Sequence, residues 1–283
     1  MTSTESDLPV SQRYDLRKVS FADAAERVQQ ALDVRFDLAH AVVKRRSVGA
    51  LTDRGTWVRI ELRGLERLDA QGWGLEAAAV LRDVPAPAWH SGISWYDAGR
   101  GAVWRADEID AVDQTPIGRT SAACALPESW WKSLRAALEA LARHKVTRRA
   151  TPDCEPITQE RISSGIERVF PGRVNTAITT WTPAHADLNW SNITGPELRM
   201  LDWEDWGVAP QGLDAARLWF ASLAEPALAA KVTKYLDPVL ASRDGRIMAL
   251  FECAGWLEFA SNSEPRAGPA RAAAHRLITE LSA

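Results

Sequence analysis

The sequence has few of the features that mark several broad classes of protein. Its 283 residues include three cysteines, Cys124, Cys154 and Cys253, which lie far apart and form no CxxC pair. This scarcity argues against a disulfide framework and a structural zinc site, so a reducing cytoplasm is the expected location. No apolar run approaches the ~20 residues that a bilayer-spanning helix needs, and the polar start predicts no signal peptide.

An excess of charge of one sign is also missing. The chain has 34 Lys and Arg residues against 37 Asp and Glu residues, which gives a formal net charge of −3. We therefore expect neither a nucleic-acid partner nor a membrane partner, because both usually require a basic surface. Lysine is scarce, and none lies between Lys44 and Lys132. With 46% hydrophobic and 25% charged residues, the composition is that of a globular protein with a sizeable core.

Hydrophobic periodicity predicts a β-rich first part. Apolar residues at helical spacing indicate a helix from Ser20 to about Val34. The segments VGALT and TWVRIEL, separated by Asp53-Arg54-Gly55, predict a β-hairpin. A short helix should follow the QGWG stretch, and WHSGISWYD with GAVWRADE predicts a second pair of strands.

Helical patterns dominate the second part. PESWWKSLRAALEALARHK has apolar residues at helical spacing, and ITQERISSGIERVF predicts a further helix that Pro171-Gly172 ends. AITTW is expected to form a strand, and NITGPELRMLD a tight hairpin. We therefore expect a flexible N-terminus over residues 1–20, a β-rich domain over residues 21–107 and a helical domain over residues 108–283.

The most informative segment is HADLNWSN, which is followed by the predicted hairpin and by LDWEDWG. His185, Asp187 and Asn192 fit the pattern H-x-D-x-x-x-x-N, and Asp202 lies ten residues beyond Asn192. This arrangement resembles the aminoglycoside phosphotransferase and choline kinase branch of the protein-kinase-like superfamily. In that family the loop usually reads HGDLHxxN, and the metal-binding segment reads IDW. GVAPQGLDAARLW also resembles the family's G…DLA helix start, where Asp214 is expected to cap the helix or brace the loop.

The resemblance implies a fold and a role for each residue of the motif. The implied fold is α+β and protein-kinase-like, with a small β-rich N-lobe, a hinge near residues 106–112, a larger helical C-lobe and ATP or GTP between the lobes. Asp187 would accept or orient the proton of the acceptor hydroxyl, and His185 would orient the loop. Asn192 and Asp202 would hold Mg²⁺, which prefers hard oxygen ligands. A plainer interpretation stays open, in which these residues merely cap a turn and end a strand.

The first part of the chain departs from the family's pattern. In the family a strand lysine grips the α- and β-phosphates, and a helix glutamate holds that lysine. Glu76 fits the glutamate, whereas the best substitute for the lysine is Arg59, whose guanidinium also binds phosphate and carboxylate. Both could equally be ordinary surface charges. Gly49 is the single glycine between Val42 and Leu51, so no glycine-rich phosphate loop is evident.

The implied function is Mg²⁺-dependent transfer of the γ-phosphate of ATP, with GTP as the alternative donor, to a hydroxyl of a small molecule. Tryptophans and acids near the motif could cage a cationic acceptor, or they could simply pack the core. These residues are Trp181, Trp190, Trp203, Trp206 and Trp219, with Glu204 and Asp205.

Two other functions remain open. A pseudokinase, which would bind nucleotide or act as a scaffold without transfer, is favoured by the missing lysine and glycine loop. The complete motif disfavours it. A protein kinase is disfavoured by DW in place of DFG and by the lack of a recognisable activation segment after Trp206.

Overall fold

The computed structural model describes residues 14–65, 73–118, 120–261 and 263–282. The chain divides into two units. The first consists of the residues up to Val80 together with Pro87–Asp113, and the second consists of Leu81–Ala86 together with the chain from Gln114 onward. Among the described residues, no helix has the length and apolar character needed to cross a bilayer.

The first unit is an antiparallel sheet with a helix packed on one face. The strands follow the spatial order β1-β2-β3-β5-β4. Their bounds are β1 Val42–Val43, β2 Ser47–Leu51, β3 Thr56–Gly64, β4 Trp89–Asp97 and β5 Ala102–Asp110. Side chains alternate across a strand, so Val58, Ile60 and Leu62 share one face of β3, and they form a core with Val28 of α1 (Ala22–Leu32). The described residues of this unit also include a 3-10 helix over Leu38–His40 and a short α-helix, α2 (Gly74–Ala78).

Both predicted strand pairs of this unit are confirmed. In the first hairpin Ser47 pairs with Glu61 and Leu51 pairs with Trp57. Gly55 in the connecting turn has a φ of +75°, which glycine adopts at little cost. In the second pair β4 and β5 run antiparallel from end to end, with one irregularity near Trp89.

The domain boundaries differ from those expected. Residues 1–13 of the predicted flexible N-terminus lie outside the described residues, but Leu16 and Val19 are buried in the core of the first unit because their apolar side chains complete it. The predicted boundary after residue 107 falls inside β5, which stays paired with β3 as far as Asp110. The first unit then ends at Asp113.

The second unit is mainly helical. Its helices are α3 Thr120–Cys124, α4 Glu128–Ala142, α5 Gln159–Val169, α6 Leu213–Ala221, α7 Pro226–Leu240, α8 Arg243–Leu257 and α9 Ala267–Ser282. The predicted helices α4 and α5 are thereby confirmed. Helix α8 packs against α5, α6, α7 and α9. A two-stranded antiparallel sheet joins β6 (Trp181–Ala184) to β7 (Gly207–Pro210), and β6 begins where the predicted strand AITTW was expected to end.

Leu81–Ala86 joins the second unit although it lies between elements of the first. The backbone N–H of Met200 donates to the carbonyl of Pro85 (2.9 Å). The backbone N–H of Arg82 donates to Nε2 of His144 (3.1 Å). These two hydrogen bonds attach the segment to α4's C-terminal end and to the hairpin beyond the motif.

Candidate active site

The sheet of β6 and β7 brings the two ends of the motif to one place. Ala184, the last residue of β6, pairs with Gly207, the first residue of β7. The chain between them contains the whole motif and the predicted hairpin, whose strands meet at a bridge between Ile193 and Met200. The hairpin is confirmed. The N–H of Leu201 donates to the carbonyl of Asn192 (2.8 Å), which places Asp202 beside Asn192 along the backbone.

Asp214 holds the start of this loop from helix α6. Its carboxylate accepts the backbone N–H groups of His185 (2.7 Å) and Ala186 (2.8 Å). The predicted bracing of the loop is therefore confirmed. Burial raises the pKa of Asp214, while His185 and these backbone hydrogen bonds act in the opposite direction.

His185 ties the loop to the segment that carries Asp202. The imidazole is fully buried, and its Nε2 lies 2.7 Å from the carbonyl of Leu201, to which it donates. Its Nδ1 then accepts the N–H of Asp187 (3.4 Å). The ring packs edge-on against Trp203, with centroids 4.6 Å apart. These contacts suit an orienting role and use both ring nitrogens within the loop.

The carboxylate of Asp187 is held by amide groups and left partly exposed. Asn192 Nδ2 donates to its Oδ2 (2.8 Å) and to its backbone carbonyl (2.9 Å). Burial raises the pKa of Asp187; Arg217 and His185 lower it, and Asp202 and Asp205 add to the increase. The side chain is 37% exposed, so a substrate hydroxyl has access to it.

The residues predicted to hold a metal ion have suitable donor atoms. Asn192 uses its amide nitrogen on Asp187, which leaves the amide oxygen for a cation. Asp202, which has a φ of +64°, adds a carboxylate directly after Leu201. One amide oxygen and one carboxylate form the hard donor set that Mg²⁺ takes from proteins together with phosphate and water.

The second unit contains a cavity of about 930 Å³ whose wall does not include Asp187 but includes a residue close to it. Arg217 of α6 links the two: it lines the cavity, and its Nη1 is 3.8 Å from Oδ1 of Asp187. The same guanidinium pairs with Asp153 (3.0 Å) and Glu252 (3.3 Å) on the cavity wall. Burial opposes its charge, but Glu252, Asp153 and Asp187 outweigh burial and raise the pKa of Arg217.

The cavity wall was not predicted from the sequence. Its carboxylates are Asp153, Glu155, Glu160, Glu252 and Glu258, and its cations are Arg161, Arg168 and Arg217. Its aromatic side chains are Phe220, Phe251, Trp256 and Phe259. One signal was available: Glu252 interrupts the apolar segment IMALFECAGWL of α8, where a carboxylate has to find a partner.

The tryptophans near the motif are mostly packing residues, as the plainer interpretation held. Trp190, Trp203, Trp206 and Trp219 are buried. Trp190 Nε1 donates to Ser222 (3.1 Å), and Trp203 Nε1 donates to the carbonyl of Met200 (2.7 Å). Asp205 is buried as well and accepts a hydrogen bond from Thr151. These residues therefore belong to the core and do not form a cage, whereas Trp181 and Glu204 are partly exposed.

In the first unit the predicted pair of Arg59 and Glu76 is replaced by two other pairs. Arg59 forms an ion pair with Glu61 on its own strand, and Arg63 bonds the same carboxylate. Glu76 of α2 pairs with Arg105 of β5 (3.0 Å). The reason is geometric: Arg105 also pairs with its strand neighbour Asp107, and its guanidinium lies over Trp73 of the loop that begins α2.

Neither the β1–β2 turn nor Gly49 resembles a glycine-rich phosphate loop. The turn is formed by Lys44, Arg45 and Arg46, all exposed. A Cβ atom at Gly49 would lie 2.3 Å from the indole of Trp57, so this glycine makes room for a neighbouring side chain.

No protein-family model matches the chain, and no curated protein does. Solved structures share its fold. APH(2")-IIia, in a complex with GDP and kanamycin, is 14% identical with a TM-score of 0.55; the match covers 93% of this chain and 98% of that chain. Amicoumacin kinase hAmiN, in a complex with AMP-PNP, Ca²⁺ and Ami, is 10% identical with a TM-score of 0.53; coverage is 91% and 94%.

A choline/ethanolamine kinase family protein from Mesorhizobium loti is 11% identical with a TM-score of 0.51, and the match covers 93% of this chain and 96% of that chain. At these identities the likeness shows the fold. The chain has the α+β, protein-kinase-like fold shared by aminoglycoside phosphotransferases and choline kinase-like proteins. The predicted resemblance and fold class are confirmed at that level.

Proposed function

We propose that the protein transfers the γ-phosphate of ATP or GTP to a hydroxyl group of a small molecule in the presence of Mg²⁺. The observation that carries the proposal is the loop around Asp187: its backbone is fixed by Asp214 and His185, while its carboxylate stays accessible beside Asn192. The similar structures support it, since their names describe phosphotransferases or kinases and two of them contain GDP or AMP-PNP. The scarcity of cysteine favours the cytoplasm as its location.

Asp187 is the proposed base. As the acceptor oxygen bonds to the γ-phosphorus and the bond from that phosphorus to the β–γ bridging oxygen breaks, the hydroxyl proton moves to the Asp187 carboxylate. The raised pKa of Asp187 suits a group that must accept this proton. His185 transfers no proton in this scheme, because both its ring nitrogens are bonded within the loop.

Asn192 and Asp202 are the proposed Mg²⁺ ligands. Bound Mg²⁺ supplies positive charge that stabilises the phosphate oxygens during transfer. The two residues are held by the hydrogen bond between the N–H of Leu201 and the carbonyl of Asn192, so the amide and the carboxylate are offered from adjacent backbone.

The cavity of about 930 Å³ is the proposed acceptor site, and its chemistry favours a cationic acceptor. Five carboxylates outnumber three guanidinium groups on its wall. The guanidinium groups already have partners: Arg161 and Arg217 pair with Asp153, and Arg168 pairs with Glu258. Aromatic side chains on the same wall can stack on an apolar body or attract an ammonium group.

Arg59 remains the proposed contact for the nucleotide phosphates, and Glu76 acts through Arg105. Arg59 and Arg63 share the single carboxylate of Glu61, whereas Arg105 is shared by the two carboxylates of Glu76 and Asp107. The side chain of Arg59 is 20% exposed, against 7% for Arg105, which favours Arg59 over Arg105 for a polyanion.

A pseudokinase is the second candidate, and one observation favours it. The glycine nearest the expected phosphate loop, Gly49, accommodates the indole of Trp57. Backbone N–H groups that would cradle phosphates are thus not supplied by a glycine-rich turn in this part of the chain.

Calorimetric titration with ATP and GTP, each with and without Mg²⁺, tests the proposal together with a phosphorylation assay on a panel of small amino alcohols and neutral alcohols. We expect nucleotide binding that Mg²⁺ strengthens, and transfer to at least one amino alcohol. Asp202→Ala should remove the Mg²⁺ effect, whereas Asp237→Ala, an exposed carboxylate on α7, should retain it. Binding without transfer to any member of the panel would favour the pseudokinase. The absence of nucleotide binding would exclude the phosphotransferase and leave a scaffold that binds no nucleotide.

A further inference from the structure

The catalytic loop contains an alanine in a backbone conformation that glycine prefers. Ala186 has a φ of +68°, in the left-handed region that residues with a Cβ atom rarely adopt. The cost relative to glycine corresponds to roughly five- to thirtyfold in population. Ala186 directly precedes Asp187, so the direction in which the Asp187 side chain points depends on the conformation of Ala186. Contacts from other residues have to stabilise that conformation.

Helix α6 supports that peptide from both sides. Asp214 accepts the N–H of Ala186 (2.8 Å), and Arg217 donates through Nη1 to the carbonyl of Ala186. Asp214 and Arg217 are three residues apart on α6, so both side chains project from the same helix face. One helix turn therefore binds both polar groups of a single strained residue.

We propose that Arg217 is a positioning residue that, with Asp214, clamps Ala186 in the left-handed conformation and thereby aims the carboxylate of Asp187. The inference rests on the proposed function for its catalytic consequence, but the clamp itself is a feature of the fold. The side chain of Arg217 is 14% exposed, and acids of the cavity wall fix its other edges: Asp153 at Nη2 (3.0 Å) and Glu252 at Nε (3.3 Å).

The geometry requires arginine rather than a simple cation. The planar guanidinium directs Nη1, Nη2 and Nε to three different partners, whereas an ammonium group presents a compact point charge. Because Asp153 and Glu252 line the acceptor cavity, the clamp and the acceptor site share one network of charges. An acceptor that disturbs these acids therefore also acts on the support of the base.

The test compares Arg217→Met, Arg217→Lys, Ala186→Gly and the double variant Ala186→Gly/Arg217→Met with wild type. Arg246→Met is the matched control, since Arg246 is a partly buried arginine on α8 that pairs with Glu280 (3.1 Å). The first measurement is hydrogen exchange at the amides of His185 and Ala186, which needs no activity. We expect at least tenfold faster exchange in Arg217→Met and no change in Arg246→Met.

The second measurement is kcat and nucleotide affinity. Misplacing a reacting group costs on the order of 10²-fold, so Arg217→Met should lower kcat about 10- to 100-fold while nucleotide affinity stays within about twofold. Arg217→Lys should lose less. In the Arg217→Met background, glycine at position 186 should restore roughly fivefold, because glycine needs no clamp.

Each of the two measurements has an outcome that would overturn the proposal. Unchanged exchange in Arg217→Met overturns the clamp, and if that variant does not fold, unchanged exchange in Arg217→Lys does the same. A kcat within about threefold of wild type, or no recovery in the double variant, overturns the positioning role. If wild type phosphorylates no acceptor, the proposed function fails, whereas the exchange measurement still decides the clamp.

Discussion

Two regions of the molecule use the same charged residue types in different ways. On the polar face of the sheet in the first unit, side chains pair with side chains: Glu61 with Arg59 and Arg63, and Arg105 with Glu76. In the loop of the second unit that carries Asp187, side chains bind backbone groups as well as one another. Asp214 takes two N–H groups, while His185 and Arg217 each donate to a carbonyl.

The difference shows in which of the two regions side chains fix the path of the backbone. A side-chain pair can change partner without moving the chain, although Glu61, Arg63 and Arg105 are buried, so that removing one partner would leave a buried charge uncompensated. A buried carboxylate that satisfies backbone N–H groups fixes the path of the chain, because removing it leaves buried donors without partners. The backbone of the loop that carries Asp187 is thus fixed by side chains, whereas the paired charges on the sheet hold one another and not the backbone.

The largest effect is expected at Asp187, the proposed base, whose side chain is 37% exposed. Asp187→Asn should lower the rate of phosphoryl transfer by about 10²- to 10⁴-fold, the usual contribution of a positioned acid–base group. Nucleotide affinity should barely change. Steady-state kinetics on an accepted alcohol measures this, with Asp237→Asn on α7 as the control, and near-normal turnover in Asp187→Asn would show that another group is the base.

The second effect compares a buried carboxylate that binds the backbone of the loop with one that binds the backbone elsewhere. Asp214 and Asp244 are both buried, and each accepts two backbone N–H groups, Asp244 those of Thr179 (3.1 Å) and Thr180 (2.7 Å). Replacing either by alanine should lower the free energy of unfolding by about 2–4 kcal/mol, because buried donors lose a charged partner.

Kinetics then distinguishes the two variants. Asp214→Ala should also reduce kcat in the folded protein, whereas Asp244→Ala should change stability alone. Denaturant unfolding and kinetics on the same samples give both quantities. Equal kcat values for the two variants would mean that bracing by α6 has no catalytic consequence.

The third effect tests the charged face of the sheet. Arg59→Ala should weaken nucleotide binding about 10- to 150-fold, since hydrogen bonds to charged groups contribute ~1.5–3 kcal/mol. Arg59→Lys should retain part of the affinity. Arg54→Ala, which removes a half-exposed arginine paired with Asp33 in the β2–β3 turn, should stay within about twofold. If Arg59→Ala matches Arg54→Ala and no acceptor is phosphorylated, the pseudokinase becomes the better interpretation.

The smallest effect concerns helix α8, which contributes residues to the wall of the cavity beside Arg217. Burial raises the pKa of Cys253 on α8 to about 12, so roughly one molecule in 10⁴ carries the reactive thiolate at pH 8. Iodoacetamide should therefore label the partly exposed Cys124 and leave Cys253 unmodified until the protein is unfolded. Mass spectrometry of the labelled peptides measures this, and equal labelling in the native state would show that α8 opens readily.

The sequence predicts the loop better than the sheet face for a physical reason. His185, Asp187, Asn192 and Asp202 lie within eighteen residues, and their contacts follow from one loop and one hairpin. Backbone-directed contacts of this kind depend on local spacing. The contact between Asp214 and the loop could be predicted because β6 leads into the loop, β7 leads to Asp214, and the two strands pair with each other.

Pairing between distant charges could not be predicted in the same way. The partner of Glu76 is Arg105 and not Arg59, which depends on how α2 meets strand β5. The network of Arg217 joins Asp153 and Glu252, residues almost one hundred positions apart. Any arginine can satisfy any acid of suitable reach, so only the packed structure selects the pairs.

The placement of Leu81–Ala86 determines how the protein can be divided. The chain passes between the units three times, after Val80, after Ala86 and after Asp113. A fragment that ends at Asp113 would carry Pro85 without Met200, the residue whose N–H it accepts. A fragment that begins at Gln114 would expose that N–H instead. Separate expression of either unit therefore calls for a circularly permuted or linker-joined gene, and a single protease cut after Asp113 would leave the two pieces associated through Leu81–Ala86.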